Sequence, residues 1–190
     1  MSFSRVRTVW AILAFCLLAF AAYGSLVPFD WRPVTLAVAL AQFRQELQEF
    51  SFDGSRSDWS VNVALFVPIS FCLLCAIVPS RATVRARIVS VIVVAVTCVC
   101  STLAIEFAQI WCAGRVASVS DVFAQFVGAA IGIVAWLVAG RTATQWLEGY
   151  LADRRRESQI DWLLQAYLVG LAIYSVMPLD LTIRPAEIYR

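Results

Sequence analysis

The chain contains no histidine and no lysine; all 15 of its basic residues are arginine. Histidine is the commonest metal ligand and general base, so its absence removes the usual zinc and imidazole chemistry. Charge of any kind is scarce: 15% of 190 residues, against about 25% in soluble domains. The cysteines form no disulfide framework. Cys16, Cys72, Cys75, Cys98 and Cys100 fall inside apolar runs, where cysteine packs as a small hydrophobe. Cys72-x-x-Cys75 has a redox spacing without a soluble βαβ setting, so packing is expected there. Cys112, near a helix end, is the thiol expected to meet solvent. Nothing in this composition calls for a nucleic-acid partner, a metal or another cofactor.

What the chain has is apolar length. Hydrophobic residues make up 61% of it, and mean hydropathy is +0.78. Several runs approach or exceed the ~18 residues that cross a bilayer. The expected fold is therefore all-α: a polytopic transmembrane helix bundle of about five spans. These run from Thr8 to Val27, Ser60 to Val78, Ile88 to Ile110, Val119 to Ala139 and Ile160 to Met177. The first is read as a retained helix, because its apolar run continues past the cleavage-like Ala19-Phe20-Ala21 to Val27.

Between the first two spans, Leu36, Leu40, Phe43, Leu47 and Phe50 recur at helical spacing, with polar residues mostly on other faces. That pattern predicts an interfacial amphipathic helix, either a lid over the helix ends or a gate for a ligand. Asp30 is expected to cap its start, with Pro33 in the first turn. A four-span unit covers 1–140, a basic connector 141–159, and a fifth span with an external tail 160–190. In that tail Tyr174 to Pro185 echoes Tyr23 to Pro33, as the start of a second repeat would.

Arginine placement orients the spans. Arg5, Arg7, Arg81, Arg85, Arg87, Arg141 and Arg154 to Arg156 fall on one side. The positive-inside rule makes that side cytoplasmic, with the N-terminus inside and the C-terminus outside.

The outer ends of the spans then carry Asp30, Asp58, Asn62, Glu106, Gln109, Arg115, Asp121 and Gln125. Glu106 and Gln109 share one helix face, as do Asp121 and Gln125, and the turn at Gly114 and Arg115 brings the two patches level. Ionisable residues in a span cost roughly 2.5–3.5 kcal/mol each and usually face the bundle interior. Small residues at Ala124, Gly128 and Gly132, matched by Cys100, Ala104 and Ala108, predict a tight hairpin of the third and fourth spans.

These residues resemble the VanZ-like family of bacterial membrane proteins. The matching pieces are Tyr23 to Asp30; Asp58-x-x-x-Asn62-x-x-x-Phe66-x-Pro68; Glu106-x-x-Gln109; and Arg115-x-x-Ser118-x-x-Asp121 followed by Gly128 and Gly132. Gln125 stands where the family pattern has Asn, and Ser70 where Gly is usual. The resemblance implies a bundle of four or five helices in the bacterial cytoplasmic (inner) membrane and a link to the cell envelope. The family's namesake is associated with resistance to the glycopeptide teicoplanin.

Three readings of the outer cluster stay open. Asn62, Glu106, Gln109, Arg115, Asp121 and Gln125 could bind a polar, lipid-linked or glycopeptide envelope ligand, with membrane lipids as the surrounding partners. Glu106 and Asp121 could instead divide acid and base roles in an intramembrane hydrolase or transferase, or hold a cation through oxygens. Ser118 and Ser120, the available hydroxyls, read as caps of the fourth helix. Lastly, the polar groups could pair only with one another and fix helix register.

Overall fold

The computed structural model describes residues 2–48, 56–79, 81–115 and 117–153, together with 167, 168 and 170. The chain divides into two units, Met1–Gly149 and Tyr150–Arg190. Apart from 167, 168 and 170, the expected fifth span lies outside the described residues, as do the echo after Tyr174, the connector beyond 153 and the side chain of Asp58.

Among the described residues five helices follow in order: α1 Ser2–Leu26, α2 Leu36–Gln48, α3 Arg56–Ile77, α4 Val84–Gln109 and α5 Val119–Asp153. There is no strand among the described residues. Four helices contain stretches long and apolar enough to cross a membrane: Arg5–Leu26, Trp59–Ile77, Val84–Gln109 and Val119–Ala152. The chain is a multi-pass membrane protein. Its core is built from Ala21, Phe66, Ile69, Leu74, Val94, Cys98 and Ala129, contributed by all four of these helices.

α5 does not stop near Ala139 as expected. It continues to Asp153, giving 35 residues and a length of about 50 Å at 1.5 Å per residue. The segment Arg141 to Asp153 holds no proline and is rich in helix formers, so nothing terminates the helix where hydrophobicity falls.

Arginine closes the helix ends. Arg7 Nε and Nη2 donate to the carbonyls of Ala76 and Ile77 at 2.7 and 3.0 Å, joining the start of α1 to the end of α3. At the opposite end the clasp is reciprocal. Arg32, just after α1, donates from Nε to Ile110 O at the end of α4 (2.9 Å). Arg115, just after α4, donates from Nε and Nη2 to Val27 O (2.9 and 2.7 Å) and from Nη2 to Gly24 O (3.2 Å) at the end of α1. Terminal helix carbonyls lack intrahelical donors, and a guanidinium fork supplies several in one plane. A lysine ammonium has three donors on one nitrogen but lacks the planar fork by which Arg7 and Arg115 meet carbonyls from both Nε and Nη2.

Between the two arginines the loops form an isolated antiparallel bridge, Trp31 with Cys112. Arg32 N donates to Trp111 O at 2.9 Å, and Ala113 N to Asp30 O at 2.7 Å. This bridge corrects two expectations. Asp30 does not cap a helix, because its backbone is extended and paired; α2 begins only at Leu36, with Thr35 O accepting from Ala39 N. Cys112 is buried beneath the bridge, whereas Cys16 and Cys100 are the exposed thiols. Cys72 and Cys75 are buried within α3, as packing residues should be.

The small-residue stripe also works differently from the expectation. A Cβ added at Gly128 would collide with the carbonyl oxygen of Val63, and one at Gly132 with Val67 O and Ser70 Oγ, so the glycines face α3. Ser70 Oγ lies 3.0 Å from Ala129 O and 3.2 Å from Val67 O, its hydroxyl donating across the same interface. Cys100 and Ala104 on α4 are exposed. α3 occupies the glycine strip, and α4 is joined to α5 at the clasped end through Glu106.

Candidate functional site

That meeting point is made by Glu106. It stands on α4 and is only 1% exposed. Glu106 Oε2 accepts from Ser118 N at 3.0 Å, and Oε1 accepts from Gln125 Nε2 at 3.4 Å. Ser118 opens α5, its carbonyl accepting from Asp121 N and Val122 N at 3.1 and 3.2 Å. The Glu106 carboxylate thus lies at the N-terminus of α5, where unsatisfied amides and the helix dipole favour negative charge. Part of the insertion cost of Glu106 is offset locally.

Gln125 is not fully satisfied. It is 1% exposed, and its Oε1 has no hydrogen-bond donor among the described residues. Leaving a buried acceptor without a donor costs about 1–3 kcal/mol. Ser120, 4% exposed, is buried on the same first turn.

α2 covers this point. Ala39 is fully buried, and Phe43 packs edge-on to Phe107, which in turn packs on Trp111, with ring centroids 5.3 and 5.0 Å apart. Trp111 Nε1 donates to Val34 O at 2.9 Å and fixes the approach to the helix. Leu36 and Leu40 are exposed, turned away from the bundle. The inward strip is therefore Ala39, Phe43 and Glu46, not the leucine row that periodicity singles out. Glu46, Phe43, Glu106, Ala117 and Ser118 line a void of about 10 Å³, close to the space of one water.

Glu46 is the site residue that sequence reasoning missed. Its signal was its spacing of three from Phe43, outweighed by its place among polar neighbours. Its carboxylate and that of Asp121 both lie within electrostatic reach of Glu106.

The structure brings Glu106, Gln125 and the Asp121 turn together and sends the other expected residues elsewhere. Gln109 Nε2 donates to Ser25 O at 3.3 Å, joining Arg115 on the end of α1. The Nε and Nη2 donors of Arg115 are engaged with α1 carbonyls. Asn62 is half-buried on α3, and no hydrogen bond links it to the Glu106 pair. No three His, Cys, Asp or Glu side chains among the described residues converge on a metal position.

Comparison with curated proteins and with solved structures found no match. Comparison with protein families matched residues 4–140 to the family described as VanZ/LLP1. The match takes in α1 to α4, the reciprocal clasp, and the part of α5 that carries Asp121, Gln125 and both packing glycines. On that match the chain belongs to the VanZ/LLP1 family.

Proposed function

We propose that the protein binds a polar-headed envelope ligand, lipid-linked or glycopeptide in kind, at the clasped end of the bundle around Glu106, Gln125 and Asp121. The observation that carries this reading is Gln125 Oε1, a buried acceptor without a donor beside a buried carboxylate. Polar groups serving only to fix helix register would be expected to satisfy one another, and this one is left over. A hydroxyl, amine or amide N–H of a ligand supplies what it lacks. Asn62, Gln109 and Arg115 hold the frame or edge of the site in this reading. In this reading, supported by the arginine asymmetry between the two sides, the clasped end faces outward and the site belongs to the outer leaflet of the cytoplasmic membrane.

Native mass spectrometry of gently solubilised protein tests this, with wild type compared with Gln125→Leu. Leucine keeps the bulk and removes both amide atoms. The expected result is an envelope-lipid or glycolipid adduct on wild type, reduced about tenfold or more on a variant that still folds, as the loss of a hydrogen bond to a buried group implies. Equal adducts on both proteins, or none on either, would reject the polar site.

A further inference from the structure

α4 and α5 part below the Glu106–Gln125 contact and leave a cleft of about 460 Å³, within the usual range of ligand sites. Cys98, Thr102, Val122, Phe126, Ala130 and Ile133 are among its walls. Along α5 the lining runs from Val119 to Ile133, a rise of about 20 Å. Half of a hydrocarbon core about 30 Å thick is about 15 Å, so the cleft is roughly one leaflet deep. Both its walls belong to membrane-spanning helices.

The cleft and the polar site are adjacent. Val119 and Val122 line both the cleft and the small void at Glu106. Thr102 on the cleft wall lies one turn before Glu106 on α4, and Val122 and Ala129 lie one turn either side of Gln125 on α5. The Glu106–Gln125 pair therefore lies within one helical turn of residues that line an apolar slot.

We infer that this slot holds the single acyl chain of an amphiphile whose head, bearing a hydrogen-bond donor and no negative charge, reaches Gln125 at the clasped end. The inference rests on the polar-site reading above and specifies its ligand. Charge complementarity sets the head. The buried carboxyl of Glu106 beside Gln125 offers an incoming head acceptor oxygens and no cation to pair with an anion. Arg115 and Arg32 direct donors at helix carbonyls. The acceptor left over on Gln125 asks for an O–H or N–H. Entry is lateral from the bilayer, since the walls carry no polar barrier beyond the buried hydroxyl of Thr102 and the thiol of Cys98.

A monoacylglycerol with a photoreactive diazirine in its chain tests the assignment on the intact protein in nanodiscs, with labelled peptides mapped by mass spectrometry. Ala130→Trp fills the slot from α5, and Val99→Trp narrows it from α4 should the first variant fail to fold. Adducts are expected to concentrate on Cys98 to Thr102 and Val122 to Ile133. Either tryptophan variant, and separately Gln125→Leu, should lower them about tenfold, the equivalent of one lost good contact. An excess of unlabelled monoacylglycerol or long-chain alkylamine should compete, and lysophosphatidate should compete about tenfold less well. Even labelling of lipid-facing residues, unchanged by either tryptophan, overturns the slot and leaves the polar site standing. Slot labelling that Gln125→Leu does not move overturns the polar site and the head-group assignment together. Lysophosphatidate competing as well as monoacylglycerol overturns the assignment of an uncharged or cationic head.

Discussion

Gly132→Val should disrupt the α3–α5 interface more than any other single change at the helix contacts. A Cβ at this position meets the carbonyl oxygen of Val67 and the Ser70 hydroxyl, and one of those is backbone that cannot rotate away. Overpacking a core usually costs about 1–3 kcal/mol, and a collision with a helix backbone belongs at or beyond the top of that range. The interface also carries the Ser70 bond to Ala129 O, which the displaced helices would lose. The expected outcome is a protein that solubilises poorly, or whose melting temperature in detergent falls by ten degrees or so. The control sits on the same helix: Gly149 has nothing within reach of an added Cβ, so Gly149→Ala should melt as wild type does. Equal behaviour of the two variants would remove the glycine contact from the account of the fold.

Arg115→Ala should have the next largest effect on the fold. Its guanidinium makes three hydrogen bonds to Gly24 and Val27 carbonyls, in a part-buried place where charged hydrogen bonds contribute about 1.5–3 kcal/mol. Truncation leaves the end of α1 without those donors and frees one half of the reciprocal clasp, for an expected loss of about 2–4 kcal/mol. Arg115→Lys is the informative partner, because it keeps the charge and gives up the fork. If donor geometry is what matters, lysine recovers less than half of the loss in melting or denaturant midpoint. Full recovery by lysine would mean that charge at the end of α1, not the carbonyl fork, stabilises the loops. Either variant should leave Glu106 on Ser118, since that bond runs between α4 and α5.

The sequence carried the membrane bundle and the pairing of Glu106 with the Gln125 turn on its face, because both follow from rules that are local or nearly so. Long apolar runs set the spans, and i to i+4 spacing put Asp121 and Gln125 on one side of α5. What was not legible depended on which neighbour takes which face. Gly128 and Gly132 announce a close contact, but nothing local says that α3, not α4, makes it. The destinations of Gln109 and Arg115 were hidden for the same reason. They sit beside Glu106 in sequence, yet their partners, Ser25, Gly24 and Val27, lie more than 80 positions away. Asp30 has the residue type of a helix cap, but a non-local bridge to the turn at Cys112 and Ala113 took its backbone. Glu46 is hidden among the polar residues off the leucine row, because leucines dominate the periodicity of α2 while Ala39 and Phe43 make its inward contact.

In the proposed function Gln125 serves a ligand and does not hold the bundle together. Among the described residues its one side-chain hydrogen bond, to Glu106 Oε1, is long at 3.4 Å, and its other amide atom lacks a donor. Removing both atoms should therefore be close to neutral for the fold. The most direct measurement is the melting of lipid-stripped wild type and Gln125→Leu in the same detergent, repeated after adding back bacterial envelope lipid. Without lipid the two melting temperatures should agree to within the equivalent of about 1 kcal/mol, and lipid should raise that of wild type but not that of the variant. A variant that melts far below wild type without lipid, with lipid raising both equally, would contradict the ligand role and make the Glu106–Gln125 pair structural.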